Sequence, residues 1–118
     1  MIKSLPKGVK VKGVGHRIVH GGQEFVKPTL LTKDIIAKME AITNLAPLHM
    51  PANLAGVTTG MELLPDLKHV AVFDTAFHST MPRHVKTYAI DQGVAEKHGI
   101  QRYGFHGTSH DYVSQVCS

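Results

Sequence analysis

Two residues near the start of the sequence have the types and spacing to bind a small anion. Arg17 and Val19 lie two residues apart in a strand-like segment, so their side chains point to the same face. An arginine can hold a carboxylate or phosphate through two parallel hydrogen bonds, and the valine can contact a short hydrocarbon chain. The pair therefore suits a small amphiphilic anion. The alternative is an ordinary surface arginine on an edge strand.

A carboxylate follows the most apolar short run of the chain. Asp74 comes directly after His69–Phe73, a run typical of a strand that is buried on both faces. Polar groups beyond the carboxyl ends of strands are where open α/β sheets bind ligands. A buried carboxylate is costly unless it meets a metal, a cation or a proton to be moved, so we expect Asp74 to have a chemical role. A turn or helix cap is the alternative.

A histidine between glycines is the third candidate. His106 lies in the segment Tyr103–His110, where flanking glycines let the backbone bend sharply and approach a ligand. The segment precedes a predicted helix, whose first turn favours negative charge, so His106 can donate to a phosphoryl oxygen. A capping role is the alternative. For His110, we expect a buried hydrogen-bonding role at the helix start.

Several familiar motifs are absent from the sequence. His106 and His110, like His16 and His20, are four residues apart, but neither pair has the acidic neighbour of the His-Glu-x-x-His zinc signature. Ser109 lacks the second glycine of a nucleophile elbow. No Gly-x-x-x-x-Gly-Lys-Ser/Thr loop is present, so kinase chemistry here requires a different nucleotide-binding fold. The sequence therefore disfavours a zinc hydrolase, a serine hydrolase and a P-loop kinase.

The elements that must position these residues read as one alternating α/β unit. Strands are predicted at Val9–Val19, at Glu24–Val26 after a double-glycine turn, and at His69–Phe73. Loop residues are expected at 75–82. Helices are predicted after a Thr32 cap, from Pro51 to before Pro65, from Asp91 to His98 with Gly99 as its left-handed end, and after a capping box that begins at Thr108.

Composition limits the class of protein. The 118 residues are 42% hydrophobic and 19% charged, which allows one domain with a buried core. Cys117 is the single cysteine, so neither a disulfide framework nor a multi-thiolate zinc site is possible within the sequence. The formal charge is +4, but dispersed lysines and 6% aromatic residues argue against nucleic-acid binding. No apolar run suits a membrane span or secretion signal, so we expect a cytoplasmic protein.

Four segments, in this order and spacing, resemble the acetate kinase (acetokinase) family. They cover nearly the whole chain and read GHRIVHGG at 15–22, LAPLHMPAN at 45–53, VFDTAFH at 72–78 and YGFHGTSH at 103–110. Four motifs of about eight residues in order are far more specific than one short pattern. The resemblance implies an α/β fold: part of an actin/sugar-kinase-like, ribonuclease H-like domain with an incomplete mixed sheet and flanking helices.

The resemblance also implies an activity. Acetate kinases transfer the γ-phosphoryl group of ATP to acetate, reversibly, giving acetyl phosphate and ADP, and they require magnesium. By this resemblance residues 1–118 belong to the N-terminal, acetate-binding domain, and the nucleotide-binding domain is absent. The implied partners are acetate, acetyl phosphate and ATP or ADP, with a homodimer for the full-length enzyme and with neither nucleic acid nor a membrane.

Site residues follow from the matched motifs. The resemblance implies catalytic roles for Asp74, close to the magnesium site, and for His106, which stabilises the transition state. It assigns substrate binding to Arg17, Val19, Leu48, His49 and Phe105. No complete metal site is expected in this chain, so ATP and magnesium would be bound mostly by parts that it lacks.

The chain also departs from the family. It is several-fold shorter and lacks the Asn- and Ser-containing phosphate turn, a second active-site arginine and the glutamate ligand of magnesium; Met50 stands where the family commonly has Asn. We therefore expect an interior piece of the enzyme that is inactive alone. Part of a propionate or butyrate kinase, with a roomier apolar pocket, is one alternative. A non-catalytic anion-binding module is the other.

Overall fold

The computed structural model describes residues 6–118, in which strands and helices alternate along the chain. The strands are β1 (Gly13–Ile18), β2 (Thr29–Leu30) and β3 (Lys68–Phe73). The α-helices are α1 (Lys33–Ala41), α2 (Met50–Leu63), α3 (Arg83–Lys86), α4 (Gln92–His98) and α5 (Gly107–Val116). Short 3₁₀ helices occupy Thr43–Leu45 and Phe77–Thr80.

The sheet has β3 at its centre. Its strand order is β1-β3-β2, with β1 parallel and β2 antiparallel to β3. The register of the parallel pair runs from Gly13 opposite Lys68 to Ile18 opposite Phe73, so β1 and β3 end at the same edge. This edge carries the candidate site. The predicted α/β class with an incomplete mixed sheet is confirmed.

Three helix ends follow their sequence signals. The Thr32 hydroxyl accepts from the N–H of Ile35 at the start of α1, at 3.3 Å. A carboxylate oxygen of Asp91 likewise accepts from the N–H of Val94 at the start of α4, at 2.9 Å. Gly99 ends α4 with φ 63°, a backbone conformation that glycine adopts without steric cost. These predictions are confirmed.

Three predicted elements are wrong in place or extent. Glu24–Val26 is not a strand: the N–H of Phe25 donates to the carbonyl of Gly21 at 3.0 Å, which closes a turn, and the antiparallel strand forms later as β2. The strand predicted at Val9–Val19 contracts to β1, because its partner β3 begins opposite Gly13. No capping box starts α5, since its N-cap is His106, without a side-chain hydrogen bond. The helix α3 was not predicted.

The core lies between the sheet and helices α1 and α2. The rings of Phe25 and Phe73 stack there at 5.0 Å between centroids. Its buried hydrophobic residues are Ile18, Phe25, Leu31, Met39, Met50, Val57, Ala71 and Phe73. The radius of gyration of 16.7 Å exceeds the value of about 13.5 Å expected for a compact domain of this length. The molecule is thus elongated.

No helix within residues 6–118 has the length and apolarity to span a bilayer.

Two histidines join α2 to the sheet. His16 Nε2 lies 2.8 Å from His69 Nδ1, and His69 Nε2 lies 3.0 Å from the carbonyl oxygen of Leu64. Because a carbonyl only accepts, neutral His69 donates through Nε2, and its Nδ1 accepts from His16. Burial lowers the pKa of His16, and so does the repulsion that would arise if both rings were protonated. Burial alone lowers the pKa of His20.

The core predicts a contrast between two truncations. Met39 is fully buried, so Met39→Ala should lower the free energy of unfolding by about 2 to 5 kcal/mol. Leu63 is 70% exposed, so Leu63→Ala should change it by less than about 0.5 kcal/mol. Urea denaturation followed by circular dichroism measures both. Equal losses in the two variants would contradict this placement of the core.

The lowered pKa values predict that acid destabilises the fold. Unfolded histidines titrate near pH 6.5, but folded His16 and His20 bind protons only at lower pH. The unfolded state therefore holds more protons below about pH 6.5, and stability falls as the pH decreases through this range. Urea denaturation at pH 8 and pH 5 should show the loss. His16→Gln, which keeps an amide donor toward His69, should reduce it, whereas His98→Gln at an exposed position should not.

Candidate active site

An ion pair lies at the carboxyl edge of β1 and β3. Arg17 Nε donates to Asp74 Oδ1 at 2.9 Å, and Arg17 Nη2 donates to Asp74 Oδ2 at 2.7 Å. The Asp74 side chain is 2% exposed and that of Arg17 is 62% exposed. The cation that a buried Asp74 requires is thus Arg17.

The pairing leaves part of the guanidinium available. Its hydrogen bonds to Asp74, together with the carboxylate charge, raise the pKa of Arg17 above its already high value. Within residues 6–118, no acceptor lies within hydrogen-bond distance of Nη1. Arg17 can therefore bind an anion through its exposed edge while Asp74 holds the opposite edge and fixes the plane of the group.

The backbone of Asp74 also anchors the helix that begins after His106. The N–H of Asp74 donates to the carbonyl of Ile18 at 2.9 Å, and the N–H of Gly107 donates to the carbonyl of Asp74 at 2.8 Å. A Cβ on Gly107 would lie 2.3 Å from that carbonyl oxygen, so only glycine permits this approach. Strand β3 and helix α5 are therefore joined at the site.

His106 has an unusual backbone conformation. Its φ of 55° is positive, which costs a non-glycine residue on the order of 1 to 3 kcal/mol. The carbonyl of His106 accepts from the N–H groups of Ser109 and His110, both at 3.0 Å, so the first turn of α5 holds this conformation. Such strain concentrates at functional sites.

Two adjoining cavities meet at these residues. A largely apolar cavity of about 390 Å³ is lined by Val19, Leu45, Ala46, Pro47, Leu48, His49, Asp74, Phe105 and His106. A second cavity of about 270 Å³ is called the polar cavity because five of its six lining residues are polar or charged: Arg17, Val19, His49, Asn53, Asp74 and His106. All seven site residues predicted from the sequence thus line one or both cavities. The arrangement suits a short carboxylate, with its charge near Arg17 and its hydrocarbon part in the apolar cavity.

Few side chains at this edge are free to bind a magnesium ion. Both carboxylate oxygens of Asp74 already accept hydrogen bonds from Arg17. In the part of the chain that the structure describes, no three His, Cys, Asp or Glu side chains converge as metal ligands. Any magnesium near Asp74 would need ligands from elsewhere.

Several residues that support the site were not predicted as site residues. Asn53 Oδ1 accepts from the N–H of Val19 at 2.9 Å, and Thr75 Oγ1 accepts from the N–H of Gly21 at 3.0 Å. His78 Nε2 donates to the carbonyl of Phe105 at 2.8 Å. All three lie within segments that resemble the family, Asn53 in 45–53 and Thr75 and His78 in 72–78, and this is the signal that could have found them.

His20 packs against the aromatic residues next to the site. It is buried, its Nδ1 accepts from the N–H of Gly22 at 2.9 Å, and its ring packs edge-on against Tyr103 and Phe105, at 4.5 and 5.5 Å between centroids. The lowered pKa keeps the ring neutral near pH 7, so Nδ1 remains an acceptor. The Phe105 wall of the apolar cavity thus packs on a neutral imidazole.

Comparison with known proteins supports the resemblance seen in the sequence. The model of the acetokinase family matches residues 2–118. An acetate kinase from Streptomyces avermitilis is 55% identical over 107 residues, which are 91% of this chain and 26% of the relative. The structure of an acetate kinase from Porphyromonas gingivalis is 53% identical with a TM-score of 0.85, over 91% of this chain and 27% of that chain.

A propionate kinase is also similar. Its structure, from Francisella tularensis, is 50% identical with a TM-score of 0.83, over 88% of this chain and 27% of that chain. This chain therefore spans about a quarter of the length of these relatives. The likeness to acetate kinase structures confirms the predicted actin/sugar-kinase-like fold. Because the family model matches nearly every residue, the chain belongs to the acetokinase family.

Proposed function

We propose that residues 1–118 form part of the N-terminal, acetate-binding domain of an acetate kinase. That enzyme would transfer the γ-phosphoryl group of ATP to acetate, reversibly, giving acetyl phosphate and ADP. The observation that carries the proposal is the meeting of the apolar and polar cavities at Val19 and His49. Acetate has one methyl group and one carboxylate, which match these two environments.

Arg17 would bind and orient the acetate carboxylate. Its exposed edge faces the polar cavity while Asp74 holds the other edge, so the guanidinium is preorganised before substrate arrives. Val19, Leu48 and Phe105 would contact the methyl group in the apolar cavity. One carboxylate oxygen then attacks the γ-phosphorus, and the bond from phosphorus to the β,γ-bridging oxygen breaks, releasing ADP.

His106 would stabilise the phosphoryl group during transfer. Its side chain lines both cavities, and its strained backbone is held by the start of α5, so little reorganisation is needed at the moment of reaction. His49 lines the same two cavities and would help to enclose the substrates. Phosphoryl transfer needs mainly alignment and charge stabilisation from the protein, which these side chains can supply.

ATP and magnesium are proposed as cofactors. ATP supplies the phosphoryl group, and magnesium neutralises charge on its phosphates. Since residues 6–118 do not form a metal site by themselves, we assign the nucleotide and the principal magnesium ligands to the part of the relatives that this chain does not span. We further propose that the whole enzyme is a cytoplasmic homodimer without nucleic-acid or membrane partners.

A propionate kinase is the second candidate. The similar structure from Francisella tularensis is named as one. In this chain Leu48, a wall of the apolar cavity, is 86% exposed, so this side is open. One methylene changes binding by only about 1 to 3 kcal/mol, and an open wall discriminates less than a closed one. Acetate and propionate titrated against the same sample would separate the two, since a propionate kinase should bind propionate more tightly.

Removing the guanidinium should remove anion binding. We expect Arg17→Ala to weaken the affinity for acetate and for inorganic phosphate by at least about tenfold, because a hydrogen-bonded charge is lost. Isothermal titration calorimetry measures both affinities. Arg17→Lys keeps the charge opposite Asp74 but loses the fork, so it should fold normally and bind with intermediate affinity.

The matched control for this experiment is Arg83→Ala. Arg83 pairs with Glu96 at an exposed position and does not line either cavity of the site. Its affinity for acetate and phosphate should equal that of the unaltered chain. Unchanged affinity in Arg17→Ala would remove Arg17 from the site and favour a different function.

The chain alone should not catalyse the reaction. With ATP, magnesium and acetate, purified residues 1–118 should give no acetyl phosphate above a blank without protein, because we assign nucleotide binding to the part of the relatives that this chain does not span. Trapping with hydroxylamine measures the product. Robust production that disappears in His106→Ala would contradict this prediction and show that the chain is catalytically complete.

A further inference from the structure

Asn53 is a polar side chain of the site to which no role has been assigned toward a ligand. It lies on helix α2, and its Oδ1 accepts from the backbone N–H of Val19 at 2.9 Å. A backbone N–H can only donate, so the oxygen of the amide must face Val19. The orientation of the amide is therefore fixed, with its Nδ2 directed away from that hydrogen bond.

The amide nitrogen of Asn53 has two hydrogens to donate. Among residues 6–118, no acceptor lies within hydrogen-bond distance of Nδ2. The residue is half-buried and lines the polar cavity together with Arg17, His49 and His106. A half-buried amide that opens onto a cavity is stabilised when an acceptor there replaces water.

The charge balance of the polar cavity makes a neutral hydrogen-bond donor important for binding an anion. Arg17 is the cationic side chain that lines the polar cavity, and its charge is offset by Asp74 at 2.7 Å. A neutral pair attracts an anion less than an isolated cation does, so binding depends more on neutral donors aimed at the anion. An amide supplies such a donor without adding charge.

We propose that Asn53 is an anion-binding residue whose Nδ2 donates to an oxygen of the carboxylate or phosphoryl group held by Arg17. Its Oδ1 at the same time holds the backbone of Val19, so one side chain sets both the oxygen contact and the methyl contact of the substrate. The inference rests on the proposed function, because it names a further residue of that site.

An isosteric substitution separates the two halves of the side chain. Asn53→Asp keeps an oxygen that accepts from Val19 but replaces the donor with a carboxylate oxygen, which repels an anion. We expect the affinities for acetate and for inorganic phosphate to fall at least about tenfold, while the amide resonance of Val19 stays in place in a ¹⁵N spectrum. If only the affinity for acetate falls in this variant, the contact is to the carboxylate; if only the affinity for phosphate falls, it is to the phosphoryl group.

The matched control is Asn44→Asp. It makes the same change of charge at an exposed asparagine that lines neither cavity, and at 0.15 M salt its affinities should stay within about twofold of the unaltered chain. Equal binding by the two aspartate variants would overturn the inference, because Asn53 would then make no difference to the anion.

A second measurement needs no variant. In the unaltered chain, the side-chain NH₂ signals of Asn53 should shift during titration with acetate or phosphate, with the same midpoint as the Nε signal of Arg17. Stationary NH₂ signals would overturn the inference. Weaker binding in Arg17→Ala but not in Asn53→Asp would overturn the role of Asn53 and leave the proposed function intact. Unchanged binding in both variants would overturn both the role of Asn53 and the proposed function.

Discussion

The carboxylate of Asp74 can be buried only because Arg17 neutralises it, and the rest of the site is arranged around that pair. Three parts of this residue form hydrogen bonds: its side chain holds Arg17, its N–H donates to Ile18 on β1, and its carbonyl accepts from Gly107 at the start of α5. Breaking a buried pair by removing one partner is strongly destabilising, because a charge remains without compensation. The same contact therefore holds the edge of the sheet and fixes the plane of the guanidinium, whose other edge stays exposed.

The hydrogen bonds around Asp74 and α5 maintain the strained backbone of His106. A residue with positive φ is maintained only where its surroundings leave no better choice. Here Gly107 binds the carbonyl of Asp74 and α5 closes its first turn on the carbonyl of His106, so the histidine is fixed from both sides. Within residues 6–118 the imidazole of His106 makes no hydrogen bond, so the backbone alone places it at the cavities. The ring remains available for a ligand.

Local signals predicted much of the fold, and long-range pairing explains the remainder. The Thr32 and Asp91 caps, the Gly99 end of α4 and the strand before Asp74 all depend on neighbouring residues, and each is present. The extent of β1 depends on where β3 begins, and the turn at Phe25 depends on packing against Phe73, so short windows could not place them. The seven predicted site residues came from residue types, spacing and the matched motifs, yet the pairing of Arg17 with Asp74 and the bond from Val19 to Asn53 arise only when the chain folds.

The separation of these partners along the chain has a consequence for synthesis. Arg17 and Asp74 are 57 residues apart, and the parallel strands that carry them cannot pair until both have been made. At about 5 to 20 residues per second, β1 waits about 3 to 11 seconds for its partner strand to be translated. During this interval the valine and isoleucine of β1 have no sheet to join, and helix α1 can form first. The ion pair can therefore form only after β3 has been translated, and until then Asp74 has no cation and Arg17 no carboxylate to hold it.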